Sequence, residues 1–350
     1  MIFKSTGKRG LFDEQNAIDM MSEMGNSLER LNKVIDFEMF RPLLEARSRA
    51  VNRKNNAGAR PFDYVMMFKI MILQRLFGLS DKQVQYQITD RLSFKEFLGL
   101  SSGDKVPDEK SVWLFRERLT KEGVVEELFV MFHNHLGSKG LIVNEGKMID
   151  ASFTTAPRQR NTREENQKIK DGEGDDLWND QPHKKRHKDI DARWTKKNQE
   201  TFYGYKNHAK VDAKSKLIDE YVVTDASVHD SQPLDDLLDD RDKEQDLYAD
   251  SAYTGENQDA TIAKYEMVNN VCEKGYRGHP LTDEQKASNQ EKSKIRARVE
   301  HVFGFMEQTM QGLHLRSIGI ERASGIIGLI NLTYNLCRFE QIVRLKIALR

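Results

Sequence analysis

The chain has 350 residues, of which 38% are hydrophobic and 31% are charged, and its formal net charge is zero. This length exceeds the usual size of one domain, so we expect a large domain with a smaller companion. The two cysteines, Cys272 and Cys337, lack the spacing of a zinc finger or a disulfide framework, so both are excluded. This low cysteine content is typical of proteins in a reducing cytosol.

Residues from about 63 to 137 are predicted to be helical throughout. Apolar side chains recur at helical spacing from Tyr64 to Leu76, and Gly78, Ser80 and Pro107 are typical of helix ends and starts. Short helices joined by tight turns suit a helix-turn-helix-like module, and a small helical bundle without a ligand is an equally acceptable interpretation. We assign residues 1–140 to a helical, DNA-binding amino-terminal domain.

From Gly146 the pattern becomes typical of strands. We assign residues 141–350 to a second domain. KMIDASF is a short apolar strand that holds Asp150, and residues 205–224 predict a hairpin with its turn at 212–216. Between them, residues 157–200 are polar, with Trp178 and Trp194 as the main core candidates, so we predict a mobile insertion there.

The later elements alternate between helix and strand. We predict a helix over DSQPLDDLLDD, a strand at LYAD that ends in Asp250, a helix over GENQDATIAKYEM and a strand at NNVCEKGY. A long helix from about Gln285 to Leu313 follows. The apolar stretch GIIGLINLTYNLC is too short to cross a bilayer, and the amino terminus has no apolar secretion signal, so we expect a cytoplasmic protein without a membrane span.

This order of elements predicts an α/β fold with an RNase H-like mixed sheet flanked by helices, preceded by the all-α domain. In such a sheet the first strand is central, and the strand after the first helix lies beside it. Asp150 and Asp250 would then stand close together on neighbouring strands. Two such carboxylates repel each other unless a cation compensates them.

The predicted cation is Mg²⁺ or Mn²⁺, because hard ions prefer oxygen ligands. Glu300 lies at the edge of the apolar stripe of the long helix and supplies a third carboxylate. Asp150, Asp250 and Glu300 around two metal ions form an arrangement suited to in-line phosphodiester chemistry. Arg296, four residues before Glu300, would clamp a nearby phosphate.

These residues resemble those of bacterial insertion-sequence transposases of the DDE class, in the group that spans the IS-four-like and IS-five-like families. The matching segments are MIDASF, YGYKNHAKVD, VVTDASVHDSQPLDDLL, LYADSAYTG and IRARVEHVFGFM, in the family's order. Ser293 and Glu307 stand where the related pattern has a tyrosine and a lysine. The resemblance implies cleavage at transposon ends, followed by attack of the freed 3′-hydroxyl on target DNA.

The implied partners are double-stranded DNA, with terminal inverted repeats and target DNA, and a second copy of the chain in a homodimer at the nucleoid. From Lys184 to Lys216 there are eleven Lys or Arg residues against four Asp or Glu, and this block is a candidate DNA path. The candidate contacts with DNA are Arg296, Arg298, Lys206, His208 and Lys197. For His208, a simpler interpretation is a residue on the surface of the hairpin.

Several alternatives stay open at this point. Asp250 taken alone is typical of a helix N-cap, and Glu300 taken alone is more typical of a solvated helix acid paired with Arg296. Tyr253 is more typical of packing than of a recombinase nucleophile. The histidine pair at 183 and 187 is surrounded by lysines and arginine that would repel a metal ion. A nuclease of the same fold without strand transfer, and a catalytically silent DNA-binding protein, are the alternative functions.

Overall fold

The computed structural model describes Gly10 and residues 12–48, 60–197, 199–310 and 314–349. The chain divides into two compact units: one reaches residue 115 but leaves out residues 75–78, and the other contains residues 75–78 and 116–350. The helix Val124–Ser138, which the predicted boundary at residue 140 assigns to the first domain, packs against helix Ile320–Leu345 of the second unit. The domain boundary stays a prediction.

The described residues of the first unit form helices and no strand. The helices are α1 (Asp13–Glu23), α2 (Ser27–Val34), α3 (Arg41–Ser48), α4 (Tyr64–Leu76), α5 (Asp81–Asp90), α6 (Leu92–Leu98) and the first part of α7 (Glu109–Lys121), with a 3-10 turn at Phe37–Phe40. Their core is aromatic: the rings of Phe40 and Phe68 lie 5.0 Å apart and those of Phe37 and Phe97 lie 5.7 Å apart. Ser80 begins α5 with a capping box closed by Gln83, as its polar side chain allows. The predicted helical character of this region is confirmed.

The second unit is built on a mixed sheet of six strands. These are β1 (Gly146–Thr155), β2 (Arg193–Lys197), β3 (Glu200–Asp212), β4 (Ile218–Asp225), β5 (Asp246–Tyr248) and β6 (Val268–Asn269). The long strand β3 pairs antiparallel with β1 on one edge and with β2 and β4 on the other. On the far side of β1, β5 and β6 continue the sheet in parallel. The order β4-β3-β1-β5-β6 places the first strand at the centre, as the sequence predicted.

The second unit contains helices as well as the sheet. They are α8 (Val124–Ser138), α9 (Arg163–Lys170), α10 (Pro182–Lys185), α11 (Leu234–Leu237), α12 (Glu256–Lys264), α13 (Asp283–Arg296), α14 (Arg298–Gln308) and α15 (Ile320–Leu345). Ile149 and Leu247 pack with buried residues of α11 and α12 in one cluster. Helix α15 contacts β3, β4 and α8, while α13 and α14 contact β1. The mixed α/β fold class is therefore as predicted.

The apolar helix α15 is anchored to the sheet by buried amides. The side chains of Asn207 and Asn331 exchange hydrogen bonds of 2.8 and 3.1 Å, and both residues are fully buried. Asn335 accepts from the Ile218 N–H at 2.9 Å and donates to its carbonyl oxygen at 2.8 Å. No described helix is both long and apolar enough to cross a bilayer.

Buried charges gather around the start of β1. Asp219 contacts His133, lies 2.8 Å from the Lys147 amine and lies 3.8 Å from the Lys210 amine, which also pairs with Asp242 at 2.6 Å. Burial favours the neutral carboxyl, but the His133 hydrogen bond and the two lysine charges hold the pKa of Asp219 well below its usual range.

The prediction of one continuous helix from Gln285 to Leu313 is wrong. It is divided into α13 and α14 at Ala297, whose carbonyl accepts from the Glu300 N–H at 3.2 Å, three residues on. This 3-10 pattern interrupts the regular ladder of i to i+4 bonds. The predicted end at Leu313 lies outside the described residues.

Two other predicted elements are much shorter than the sequence suggested. The helix over DSQPLDDLLDD is limited to α11, because Asp239 caps a separate 3-10 turn at Asp240–Asp242 through its own side chain. The prediction of a strand over NNVCEKGY is wrong for all but its first residue, Asn269, because β6 ends there.

The predicted insertion at 157–200 contains regular structure in its described part. It holds α9, α10 and β2. Its Asp189 is buried, and the Tyr205 hydroxyl, 2.9 Å from both oxygens of that carboxylate, donates one hydrogen bond to it. Asp191 accepts from the Ile320 N–H at 2.8 Å, at the first residue of α15. Trp178 is buried as predicted, whereas Trp194 is 45% exposed and is not a core residue. The mobility of this segment stays a prediction.

Candidate active site

Asp150 lies within β1, whereas Asp250 lies two residues beyond β5, so the prediction that this strand ends in Asp250 is wrong by two residues. Strands β1 and β5 are in parallel register, with Met148 opposite Tyr248. Each aspartate follows this pair by two residues, and the negative charge of Asp250 acts on the Asp150 carboxyl. The structure thus brings these two predicted site residues together.

Local hydrogen bonds fix one oxygen of each carboxylate. Asp150 Oδ1 accepts from the Ala151 N–H at 2.8 Å, and Asp250 Oδ1 accepts from the Ala252 N–H at 2.8 Å. Asp250 therefore caps the short 3-10 turn Ser251–Tyr253, which is the interpretation that its sequence context favours on its own. The capping bond leaves Asp250 Oδ2 without a hydrogen bond in the described part of the chain.

The surroundings of Asp150 disfavour its ionised form. Its side chain is 17% exposed, and burial, followed by the charge of Asp250, raises its pKa to about 6. The charges of Arg296 and Lys197 act in the opposite direction, but they do not cancel the effect. A bound cation would relieve the repulsion between the two aspartates.

Glu300 is linked to this pair through Arg296. One guanidinium nitrogen, Nη1, lies 3.7 Å from Asp150 Oδ2, and Nη2 donates to Glu300 Oε1 at 2.9 Å. The Glu300 side chain is 59% exposed. Within the described ranges, no three His, Cys, Asp or Glu side chains are close enough to hold a metal ion together. The three predicted carboxylates are thus neighbours through Arg296 and do not form a closed ligand set.

The Asp150–Asp250 pair nevertheless fits a hard divalent cation. Both donors are carboxylate oxygens, both are partly withdrawn from water, and the pKa of one is raised by the other's charge. Mg²⁺ is commonly held by one or two carboxylates, with water and phosphate oxygens completing its shell. The fit rests on these two residues, and Glu300 would join them by releasing Arg296.

The five predicted DNA contacts occupy different environments. Arg296 lies at the carboxylates, Arg298 donates to the Ala213 carbonyl at 3.3 Å, and the Lys197 side chain is 49% exposed. Lys206 is buried, with its amine 2.7 Å from Asp230 and 2.6 Å from the Val228 carbonyl. The internal partners of Lys206 weigh against a contact with DNA.

The prediction that His208 lies on the surface of the hairpin is wrong. Its side chain is fully buried, and Nε2 lies 2.8 Å from the Thr224 hydroxyl on β4. Burial lowers the pKa of His208 to about 4, so the imidazole is neutral near pH 7. A neutral, buried ring is poorly suited to bind a phosphate.

Asp230 and Tyr253 are neighbours of the site that the sequence did not assign to it. Tyr253 is buried, its hydroxyl has no hydrogen-bond partner within the described residues, and burial with the charges of Asp150, Asp230 and Asp250 raises its pKa well above the usual value. A phenol held neutral in this way is a poor nucleophile. The one sequence signal for Asp230 was its place in VHDSQ, just after the hairpin.

Comparison with known families decides the class of this protein. A family model described as the transposase DDE domain matches residues 145–336, and one described as a transposase domain (DUF772) matches residues 16–118. The chain belongs to the DDE transposase family. No solved structure matches it in a structural search. This DDE transposase is therefore an enzyme that acts on DNA, and the matched segment includes all three predicted carboxylates.

Proposed function

We propose that this DDE transposase cuts DNA at the ends of an insertion sequence and joins the freed 3′ ends to target DNA. In the first step, water attacks the phosphorus at the transposon end, the bond to the 3′ oxygen breaks and a 3′-hydroxyl is released. In the second step, that hydroxyl attacks a target phosphodiester, and the displaced target oxygen leaves as a new 3′-hydroxyl. Neither step requires a covalent bond between protein and DNA.

The observation that carries this proposal is the proximity of Asp150, within β1, to Asp250, two residues beyond the parallel strand β5, where the charge of Asp250 acts on the Asp150 carboxyl. Asp150 and Asp250 would hold Mg²⁺ or Mn²⁺, and Glu300 would complete the ligand set for two ions. Bound there, the ions supply activation of the attacking oxygen and stabilisation of the leaving oxygen.

Arg296 is suited to bind the reacting phosphate. Its guanidinium is 21% exposed and already lies between Asp150 and Glu300. A phosphate oxygen would exchange with Glu300 as its partner, because guanidinium groups bind carboxylate and phosphate oxygens in the same geometry. This exchange would also free Glu300 to contact a cation.

The DNA is proposed to follow exposed basic residues beside the carboxylates, with Lys197 and Arg298 among them. Two transposon ends must be brought together, so we propose a homodimer in the DNA complex. The substrate ends are the terminal inverted repeats, and the enzyme would act at the nucleoid.

A strand-transfer assay tests the reaction. The purified chain is incubated with Mg²⁺, a duplex carrying the inverted repeat that flanks the coding region, and a supercoiled target plasmid. We expect nicked ends and joined products, both abolished by EDTA. Cleavage without joining would indicate the nuclease alternative, and end binding without cleavage would indicate a silent protein.

A further inference from the structure

Three basic side chains converge where the β3–β4 turn meets α14 and α15. Arg338 Nε donates to the Ser215 carbonyl at 2.7 Å, and Arg298 Nη1 donates to the Ala213 carbonyl at 3.3 Å. The Lys216 amine lies 2.9 Å from His301 Nδ1, which accepts a hydrogen bond from it in the tautomer that leaves Nδ1 without a hydrogen. We call Lys216, Arg298 and Arg338 the basic cluster.

The basic cluster has no carboxylate partner within the described part of the chain. Its contacts are backbone carbonyls, an imidazole and the amide oxygen of Gln341, none of which carries a negative charge. Lys214, in the same turn, pairs with Glu145 at 2.6 Å, so carboxylate pairing is available at this turn. The buried lysines of the sheet, Lys147 and Lys210, are also paired with aspartates.

The three charges oppose one another. Burial, followed by the positive charges of Arg338 and Arg298, lowers the pKa of Lys216. Burial also lowers the pKa of Arg338. Like charges held together in a partly buried place are destabilising unless an anion compensates them.

The helix α14 connects this cluster to the candidate active site. Arg298 and His301 lie on either side of Glu300 in the sequence of α14, and Arg296, which ends α13, contacts Asp150. A strand of DNA that reaches Arg296 with one phosphate therefore finds further positive charge on the adjoining helix α14. Phosphate contacts of this kind fix the register of DNA on a protein without reading its sequence.

We infer that the basic cluster binds a backbone phosphate of the DNA substrate outside the reacting carboxylates. The choice of DNA as the ligand rests on the proposed function. The cluster would set how far the duplex slides into the site, with Lys216 and Arg338 as positioning residues contributed by the β3–β4 turn and α15.

The test measures DNA binding in the absence of chemistry. Full-length wild type, Lys216→Gln and Arg338→Gln are titrated in EDTA with a fluorescent duplex, from about 50 to about 200 mM salt. Each variant should reduce the slope of log K against log salt by about 0.9 and weaken binding at low salt by roughly tenfold. Lys216→Arg and Arg338→Lys keep the charge and should restore the slope.

Lys264→Gln is the matched control, because its amine is already paired with Asp235 at 2.7 Å and is 57% exposed. It should leave the slope unchanged. Melting temperatures show whether each variant is folded. If Arg338→Gln proves unstable, Lys216→Gln still tests the inference, because it keeps the hydrogen bond from Arg338 to the Ser215 carbonyl. Unchanged slopes in folded Lys216→Gln, or a wild type that does not bind the duplex, would overturn the inference.

Cleavage by the wild type with Mg²⁺ is measured separately. If the wild type cuts the duplex while the slopes do not change, the proposed function survives and the basic cluster is not a phosphate site. If the slopes change but the wild type does not cut, the phosphate site survives and the proposed chemistry fails.

Discussion

Arg296 donates to Glu300 at 2.9 Å while its other terminal nitrogen lies 3.7 Å from Asp150. One cation therefore stands between two of the three carboxylates proposed to hold metal ions. Because it lowers the pKa of Asp150, it supports the ionised form that a metal ion requires.

Replacing Arg296 by Gln should move the acid limb of cleavage to higher pH. Removing the positive charge raises the pKa of Asp150 above its value of about 6, so a higher pH is needed to ionise this carboxylate. We also expect a cleavage rate at least roughly tenfold lower at pH 8, because a charge-assisted phosphate contact is lost. The measurement is the initial cleavage rate between pH 5 and pH 9 at fixed Mg²⁺. Arg296→Lys should keep the acid limb of wild type; an identical pH profile for Arg296→Gln would contradict this role.

Asp150→Asn should abolish cleavage and make the protein more stable. We expect cleavage to fall by at least about 1,000-fold, or ~4 kcal/mol in activation free energy. Above pH 6 the ionised Asp150 destabilises the fold, because its raised pKa means that the folded state binds this proton more tightly than the unfolded chain. The free energy of unfolding at pH 8 without metal should rise by up to ~3 kcal/mol.

Urea unfolding at several pH values checks the sign of this effect. The raised Asp150 pKa should add stability to wild type as pH falls from about 7 to about 4, and this contribution should be absent in Asp150→Asn. Asp283→Asn is the control, because the Asp283 side chain is 99% exposed. A less stable Asp150→Asn would show that Asp150 is a structural carboxylate.

Loss of charge at the two adjacent acids on β4, Asp219 and Glu220, should have different effects on stability. Asp219→Asn removes the partner of His133, Lys147 and Lys210 and should cost about 3–5 kcal/mol of unfolding free energy near pH 7. Burial raises the pKa of Glu220, so Glu220→Gln should leave stability unchanged or increase it. Because the pKa of Asp219 is lowered, its contribution is present above about pH 4 and is lost as pH falls. Thermal unfolding of both variants at pH 7 and at about pH 2 measures these effects. Equal losses of stability in the two variants at pH 7 would refute the paired network.

Asn331→Leu should destabilise the second unit without touching the carboxylates. It leaves the fully buried Asn207 amide without its partner, at a cost of about 1–3 kcal/mol. Replacing both asparagines by Leu should recover part of this loss, because no unsatisfied amide is then left. A double-mutant cycle by urea unfolding measures the coupling, and strict additivity would argue against the pair.

The sequence was sufficient to place Asp150 beside Asp250, because the parallel pairing of β1 and β5 follows from the order of strands and helices. For Glu300 the sequence allowed two interpretations, a metal ligand or a solvated acid paired with Arg296, and could not choose between them. Whether its side chain turns to the aspartates or to Arg296 depends on side-chain rotamers and local charge, which spacing on a helix does not determine.

The hairpin shows a second limit of sequence patterns. Lys206, His208 and Lys210 alternate along β3, which indicates a polar face in contact with water. All three are buried, and their partners are Asp230, Thr224 and Asp242. These partners come from later parts of the chain, so hydropathy along the strand could not distinguish a solvated face from an internally paired one.

Strand β2 has a consequence for any attempt to trim this protein. It occupies the edge of β3 from Glu200 to Gly204, immediately beyond the stretch that β4 covers. Deleting residues 157–199 as a dispensable loop would leave the N–H and C=O groups of that edge without a neighbouring strand. Such an edge invites pairing between molecules, so the shortened protein should aggregate even though every proposed metal ligand remains.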